Sequence, residues 1–351
     1  MPDAPARELR IALDAMGGDH APRAAVEAAA ELSLTSPIRV VLVGDPRRID
    51  AELARVPHRR DRLDVLRATQ AVGMAEKPRQ ALDDKPDASI LVASRALADG
   101  AADGLVSAGS TGAVVLATAR HVPLIEGVRR AALAAVYPTQ QRRANRDRFA
   151  LLLDVGATVR CTAEQLLFFA YMGHAYASRI SKVDRPTIGL LNMGEEETKG
   201  DEVLVAAHQL MKADPRLDFV GNIEGNQLPL GVADVIVCEG LLGNVVLKMA
   251  EGVFEAARSI GEHAFKTKLR WKLGIGLLSS GLRQIKALTD YGEYGGAPLL
   301  GLQKIVIKAH GRSGPRTLVN AVKVAAKAVR GGVAEEIARS VGEFSARRAE
   351  R

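Results

Sequence analysis

At 351 residues, 47% hydrophobic and 25% charged, the chain is large enough for one big sheet or two lobes. Only 4% is aromatic, so the core must be built from Ala, Val, Leu and Ile, which suits parallel strands buried on both faces. The formal charge of +7 points to an anionic partner or to no more than solvated lysines and arginines, and no nucleic-acid module is recognisable.

The opening "MPDAPARELR" carries acids and no apolar stretch resembling a secretory signal. No later run approaches the roughly 18 apolar residues of a membrane span. Cys161 and Cys238 cannot make a disulfide framework, which suits a cytosolic protein. Neither has a histidine nearby in sequence, and core packing is the favoured reading for both.

Strand-like and helical runs alternate from the start. "RIALD" leads through "AMGGDH" into a helix predicted from about Pro22 to Leu34. "IRVVLVGDP" is a strand stopping at Gly44, with Asp45 as N-cap and Pro46 at the first helical position. The runs beginning "DGLVSAGSTGA", "FALLLDVGAT", "PTIGLLNMGEEETKG", "ADVIVCEGLLGN" and "KIVIKAHGRSG" repeat the order of strand, small-residue loop and helix. This alternation predicts an α/β fold with a large, mainly parallel sheet between helical layers. No fixed-period repeat and no Pro/Gly/Ser linker divides the chain. A single domain over 1–351 is expected, with its core at about 9–330 and a charged C-terminal helix or tail at about 331–351.

In an open parallel sheet the strand carboxyl ends form the ligand crevice. Six small-residue loops are expected to converge there. The first holds Asp14, Gly17, Gly18, Asp19 and His20, and the second Ser107, Gly109, Ser110, Thr111 and Gly112. The others hold Asp154 and Gly156; Asn192, Gly194, Glu196 and Lys199; Gly240, Gly243 and Asn244; and Lys308 and His310. "SAGSTGA" is either an anion site, with Ser110 or Thr111 as a cap, or an ordinary strand-to-helix turn. It is neither a Walker A loop nor a dinucleotide fingerprint. Glu195, Glu196 and Glu197 suit a helix start better than a metal site, since no histidine accompanies them at ligand spacing. Lys308 and His310, two apart on an extended segment, would point a cation and an imidazole to one side.

The strings "ALDAMGGDHAP", "VSAGSTGA", "LLDVGA", "GLLNMGEEETKG", "GVADVIVCEGLLGNVVLK", "EYGGAPLLG" and "VIKAHG" come in an order and spacing that resembles the bacterial phosphate acyltransferases. The resemblance spans roughly Ile11 to Arg330. It implies an α/β/α sandwich like that of isopropylmalate dehydrogenase, a homodimer, and no metal or nucleotide cofactor. It implies conversion of acyl-[acyl-carrier-protein] and inorganic phosphate into acyl phosphate. That product would feed a membrane glycerol-3-phosphate acyltransferase in phospholipid synthesis. Acyl carrier protein and phosphate would then be the partners. The chain departs from the pattern at Thr158 and Arg160, and at Leu241 and Leu242.

Set against the residues, the implied reaction needs a held phosphate dianion and a stabilised oxyanion. The "SAGSTGA" N–H groups with Lys308, His310 or Lys199 would serve the first need, and a glycine-loop N–H or Asn244 the second. His20 would protonate the departing thiolate, with Asp14 and Asp19 orienting it or a lysine, or capping loop N–H groups. The alternatives are a phosphate acetyl- or butyryltransferase using acyl-CoA, a dehydrogenase on the same type of fold, and a non-catalytic acyl-binding scaffold.

Between Lys266 and Tyr294 no strand is predicted. A protruding helical arm is expected at about 255–292. Leu269, Trp271, Leu273, Ile275, Leu278 and Leu282 there, among lysines and arginines, suit contact with an acyl chain or an anionic membrane interface, or packing against a partner subunit. A cytoplasmic protein with peripheral membrane association follows.

Overall fold

The computed structural model describes residues 8–140, 149–266 and 295–349; side chains are described to 260 in the second segment and to 346 in the third. The arm residues Leu269 to Leu282 lie outside them. Among the described residues eleven strands form one sheet: β1 (Arg10–Asp14), β2 (Arg39–Gly44), β3 (Leu63–Arg67), β4 (Gly104–Ser107), β5 (Ala132–Pro138), β6 (Phe149–Leu153), β7 (Thr187–Leu191), β8 (Asp218–Ile223), β9 (Val235–Val237), β10 (Ala297–Leu300) and β11 (Ile305–Lys308). Their spatial order is β3-β2-β1-β4-β11-β10-β5-β6-β9-β7-β8. Helices cover both faces, so the fold is the expected α/β sandwich.

The sheet consists of two parallel blocks. β3, β2, β1, β4 and β11 run one way. β10 is antiparallel to β11 and to β5, and β5 is antiparallel to β6. These three reversals leave β6, β9, β7 and β8 parallel to one another and opposed to the first block. The expected convergence of six loops is therefore corrected. The carboxyl ends of β1, β4 and β11 share one end of the sheet; those of β6, β7 and β9 open at the other.

One helical layer holds α1 (Arg23–Thr35), α6 (Ala163–Tyr176), α7 (Glu202–Lys212), α9 (Pro315–Arg330) and α10 (Val333–Ala349), all packed into one core. In the other, α3 (Pro78–Asp84), α4 (Ser89–Ala98), α5 (Thr111–His121) and α8 (Gly240–Lys266) pack on Ala12, Leu105 and Val306. α2 (Pro46–Leu53) begins as expected, with Asp45 accepting the Arg47 N–H at 2.9 Å and Pro46 at the first helical position. α6 carries a capping box between Thr162 and Gln165.

α10 is fixed to the body by buried charge. Arg216 bonds both Asp214 carboxylate oxygens, the Tyr171 hydroxyl and the Ser340 carbonyl, and its guanidinium lies 4.8 Å from the Tyr171 ring centre. Burial pushes the Asp214 carboxyl up, but hydrogen bonds from Arg216 and Tyr171 outweigh it and bring it to about 2. A carboxylate held that low stabilises the fold fully above its unfolded value near 4 and stops doing so as pH falls through about 2. Arg216→Ala strands the Asp214 charge and is expected to cost about 3 kcal/mol. Denaturant titrations at pH 7 and pH 2 should show that loss at neutral pH and much less of it in acid. An unchanged midpoint at pH 7 would refute the clamp.

Candidate active site

Adjacent strands put three side chains in one row. Leu13 pairs with Val106, and Ser107 pairs with Lys308, so Asp14, Ser107 and Lys308 share a register at the ends of β1, β4 and β11. Alternation sends all three to the same face, the one covered by α4, α5 and α8. All are buried. The Ser107 hydroxyl donates to Asp14 at 2.7 Å and accepts the Gly109 N–H at 3.0 Å. Asp14 also accepts the Met16 N–H at 3.2 Å, and Ser89 at the start of α4 supplies a further hydrogen bond.

The glycines let the loops close on this row. A Cβ on Gly17 would lie 2.6 Å from an Asp14 carboxylate oxygen and 2.7 Å from the Gly109 nitrogen. Gly18 has φ +95° and would meet the Gly311 carbonyl at 2.9 Å, and the Asp19 N–H donates to that carbonyl at 2.8 Å. The loops after β1, β4 and β11 thus form one surface. Asp19, His20 and His310 are exposed on it. Ser110 occupies the N-cap of α5, but its side chain makes no capping bond, contrary to expectation. The first-turn N–H groups of α5 are left for a ligand or water. Gly112 serves packing instead, since a Cβ there would lie 2.7 Å from Pro78 of α3.

Electrostatics set this end apart. Burial, and then the Lys248 ammonium, bring Lys308 down to about 8, while Asp14 and Asp19 pull the other way. Partial desolvation of the ring at the loop surface, then Lys248 and Arg312, also push the His310 imidazole down, so it is neutral near pH 7. Burial raises the Asp14 carboxyl, and bonds from Ser89 and Ser107 oppose it. Lys248, on α8, escaped the sequence reading, as did Ser89. Its signal was the helical spacing Asn244, Lys248, Glu251, one face of a helix. Lys248 pairs with Glu251 at 2.8 Å.

The other loops form a separate assembly. Asp154 was expected to face a ligand. Its carboxylate instead accepts N–H groups of Leu133, Gly156, Ala157 and Thr158 at 2.8–3.1 Å and the Thr158 hydroxyl at 2.9 Å. The Thr158 hydroxyl in turn accepts the Gly240 N–H at 3.1 Å, seating α8. Cβ atoms on Gly240 and Gly243 would lie 2.4 Å and 1.9 Å from the Thr158 and Asp154 carbonyl oxygens, so these glycines serve close packing. Gly156, with φ +134°, faces Asn244. Asn192 closes its own loop through the Lys199 carbonyl and the Met193 N–H, and Gly194 packs on Lys199. Lys199 lies 3.8 Å from Glu196, at the end of the sheet away from Lys308.

Glu195 accepts from Gln227 and Glu197 pairs with Lys212, so the acidic run is dispersed. Among the described residues no three His, Cys, Asp or Glu side chains gather as metal ligands would. Cys238 donates to the Asp154 carbonyl at 3.2 Å and Cys161 touches the Thr158 hydroxyl. Burial raises both thiols.

The architecture is that of an α/β enzyme with a polar, glycine-walled site at the strand ends. The phosphotransacetylase from Streptococcus pyogenes has this fold, with a TM-score of 0.63 at 16% identity over 92% of this chain and 94% of that one. The branched-chain phosphotransacylase from Enterococcus faecalis V583 superposes with a TM-score of 0.56 at 13% identity over 92% and 99%. Residues 9–336 match the family model described as fatty acid synthesis protein. The phosphate acyltransferase of Desulfitobacterium hafniense (strain DSM 10664 / DCB-2) is 45% identical over 342 residues, 96% of this chain and 99% of that protein. That of Heliobacterium modesticaldum (strain ATCC 51547 / Ice1) is 43% identical over 326 residues, 92% and 94%. The chain belongs to this family of phosphate acyltransferases.

Asp154 supports its assembly through acceptor atoms alone. Asp154→Asn turns one acceptor into a donor facing N–H groups and is expected to cost about 2–4 kcal/mol. Thermal and denaturant unfolding will measure it; an unchanged midpoint would place the support of α8 elsewhere.

Proposed function

We propose that this chain transfers an acyl group from acyl-[acyl-carrier-protein] to inorganic phosphate, releasing acyl phosphate and free carrier protein for glycerol-phosphate acylation in phospholipid synthesis. The observation carrying the reading is the buried Asp14–Ser107–Lys308 row beside the uncapped start of α5. A phosphate dianion there meets first-turn N–H groups and a lysine that is cationic below about pH 8. Its oxygen attacks the thioester carbonyl carbon, and the carbon–sulfur bond breaks as the tetrahedral intermediate collapses. The proton of the hydrogen phosphate ends on sulfur. The neutral His310 imidazole, or exposed His20, takes that proton and hands it on. Helix N–H groups stabilise the oxyanion. No cofactor enters the sequence of steps. Asn244 and Lys199, expected to help, belong to the other end of the sheet.

Thiol release from acyl-carrier protein is expected to require phosphate, with a product that hydroxylamine traps. Phosphate-independent release would make the protein a thioesterase. An acyl-CoA used equally well would favour the acetyl- or butyryltransferase reading. Lys308→Gln should lower kcat/KM for phosphate on the order of 100-fold. In the unsubstituted enzyme that parameter should fall as pH rises through about 8, as Lys308 loses its proton, and this limb should vanish in the variant. Cys161→Ser and Cys238→Ser should retain most turnover. Loss in a folded cysteine variant would indicate an acyl-enzyme.

The reading includes a homodimer in the cytoplasm, peripherally attached to the membrane or its glycerol-3-phosphate acyltransferase. Among the described residues no helix is long and apolar enough to cross a membrane. α8 supports surface contact, since Val245, Met249 and Val253 are exposed on it, four residues apart. Trp271 is the only tryptophan, so its fluorescence reports on the segment beyond α8. Anionic vesicles should shift its emission to the blue, and salt should partly reverse the shift. Unmoved emission in an active dimer would assign the segment to the subunit interface.

A further inference from the structure

The two ends of the first parallel block treat their arginines differently. At the strand starts, Arg39, Arg55, Arg59 and Arg62 each have a carboxylate partner at 2.8–3.1 Å. At the strand ends, around the candidate site, Arg47, Arg48, Arg67, Lys77, Arg79 and Arg312 are all exposed and, among the described residues, form no ion pair. Arg47 and Arg48 open α2 after β2, Arg67 ends β3, Lys77 and Arg79 flank the start of α3, and Arg312 follows β11.

Contacts join these positions into one rim. Arg48 reaches the Ala21 carbonyl at 3.4 Å, next to His20. Pro78, beside Lys77, packs on Gly112, and the Met74 methyl would lie 2.6 Å from a Cβ on Gly311. Carboxylates of the same loops are committed: Asp45 caps α2, and Glu76 holds Lys85 at 2.7 Å. Asp19 faces the charge of Lys308. The rim spans five strands, roughly 19 Å at about 4.8 Å per strand. That width exceeds any single phosphate and matches the face of a small protein.

We infer that this rim is the docking surface for an acidic face of the protein that carries the acyl thioester. The inference rests on the proposed function and adds where the carrier sits. Cations ringing the mouth steer an acidic carrier toward the loops to which its acyl group must be delivered.

The test uses Arg47→Glu/Arg67→Glu/Arg79→Glu, three exposed changes outside the glycine loops, in the full-length protein. Donors are the acyl carrier thioester and the same acyl group on pantetheine. The KM for the carrier-bound donor should rise at least about 10-fold, with phosphate KM and turnover of the small donor unchanged. The salt dependence of the carrier reaction should flatten. An unchanged carrier KM overturns the inference, as does an equal loss with both donors in a variant whose unfolding midpoint is normal. So does loss of anionic-vesicle binding with an unchanged carrier KM, which would make the rim a membrane surface. Calorimetric titration of carrier protein onto both forms decides docking even where turnover is absent. Absence of turnover in the unsubstituted protein would sink the functional reading instead.

Discussion

A lysine ammonium with no salt-bridge partner among the described residues, buried beside a carboxylate at the end of a central strand, is the constraint on which the site depends. Burying either charge unpaired costs several kcal/mol. The register of β1, β4 and β11 makes the cost bearable by placing Asp14, Ser107 and Lys308 in one row. Ser107 satisfies Asp14 directly, Ser89 reaches it from α4, and Lys308 donates to the Ala309 carbonyl. The residual imbalance is positive, because the Lys248 charge also acts on Lys308. An anion entering this space relieves both lysines, so the stress in the free protein favours ligand binding.

The second block of the sheet carries the same small-residue loops for a different purpose. There the buried charge is Asp154, and it is satisfied by five hydrogen bonds from the protein itself. What the assembly produces is position. Thr158 passes the order of that loop to Gly240, and the missing Cβ atoms of Gly240 and Gly243 let α8 start in contact with the Asp154 backbone. A 27-residue helix anchored so firmly at its start can hold a side chain two turns on, at Lys248, against the other end of the sheet.

The legible parts of the sequence were local. The "RIALD" and "IRVVLVG" strands, the Asp45–Pro46 helix start and the buried cysteines all follow from patterns within a few residues. The partition of the six loops was not legible. It is decided by β5 and β10, whose stretches "ALAAVYP" and "APLL" are poor in β-branched residues and carry a proline, the first at its end and the second near its start. Nothing in an apolar run says whether its neighbour is parallel, since both pairings bury the same side chains. Asp154 and Asp14 therefore looked equivalent, each an acid ending an aliphatic strand before a glycine. What separates a site from a loop scaffold is the company of each carboxylate: Asp14 faces the Lys308 ammonium, whereas Asp154 faces the N–H and hydroxyl donors of its own loop.

Lys248 exposes the same limit from the other side. Its own surroundings in sequence, "VVLKMAEG", read as an amphipathic helix with a solvated lysine. Val246, Leu247 and Ala250 do pack on the core, so the reading is right about the helix and blind to its direction. The helix runs back from the end of β9 past β6 and β5, and because the two blocks are opposed this carries it toward the end of the sheet where β11 finishes. Were all the strands parallel, the same return would carry the helix away from the strand ends, and its lysine would sit far from Lys308. The reversal that scatters the loops is thus also what brings a second cation to Lys308. One topological feature accounts for both the failed convergence and the charge at the site.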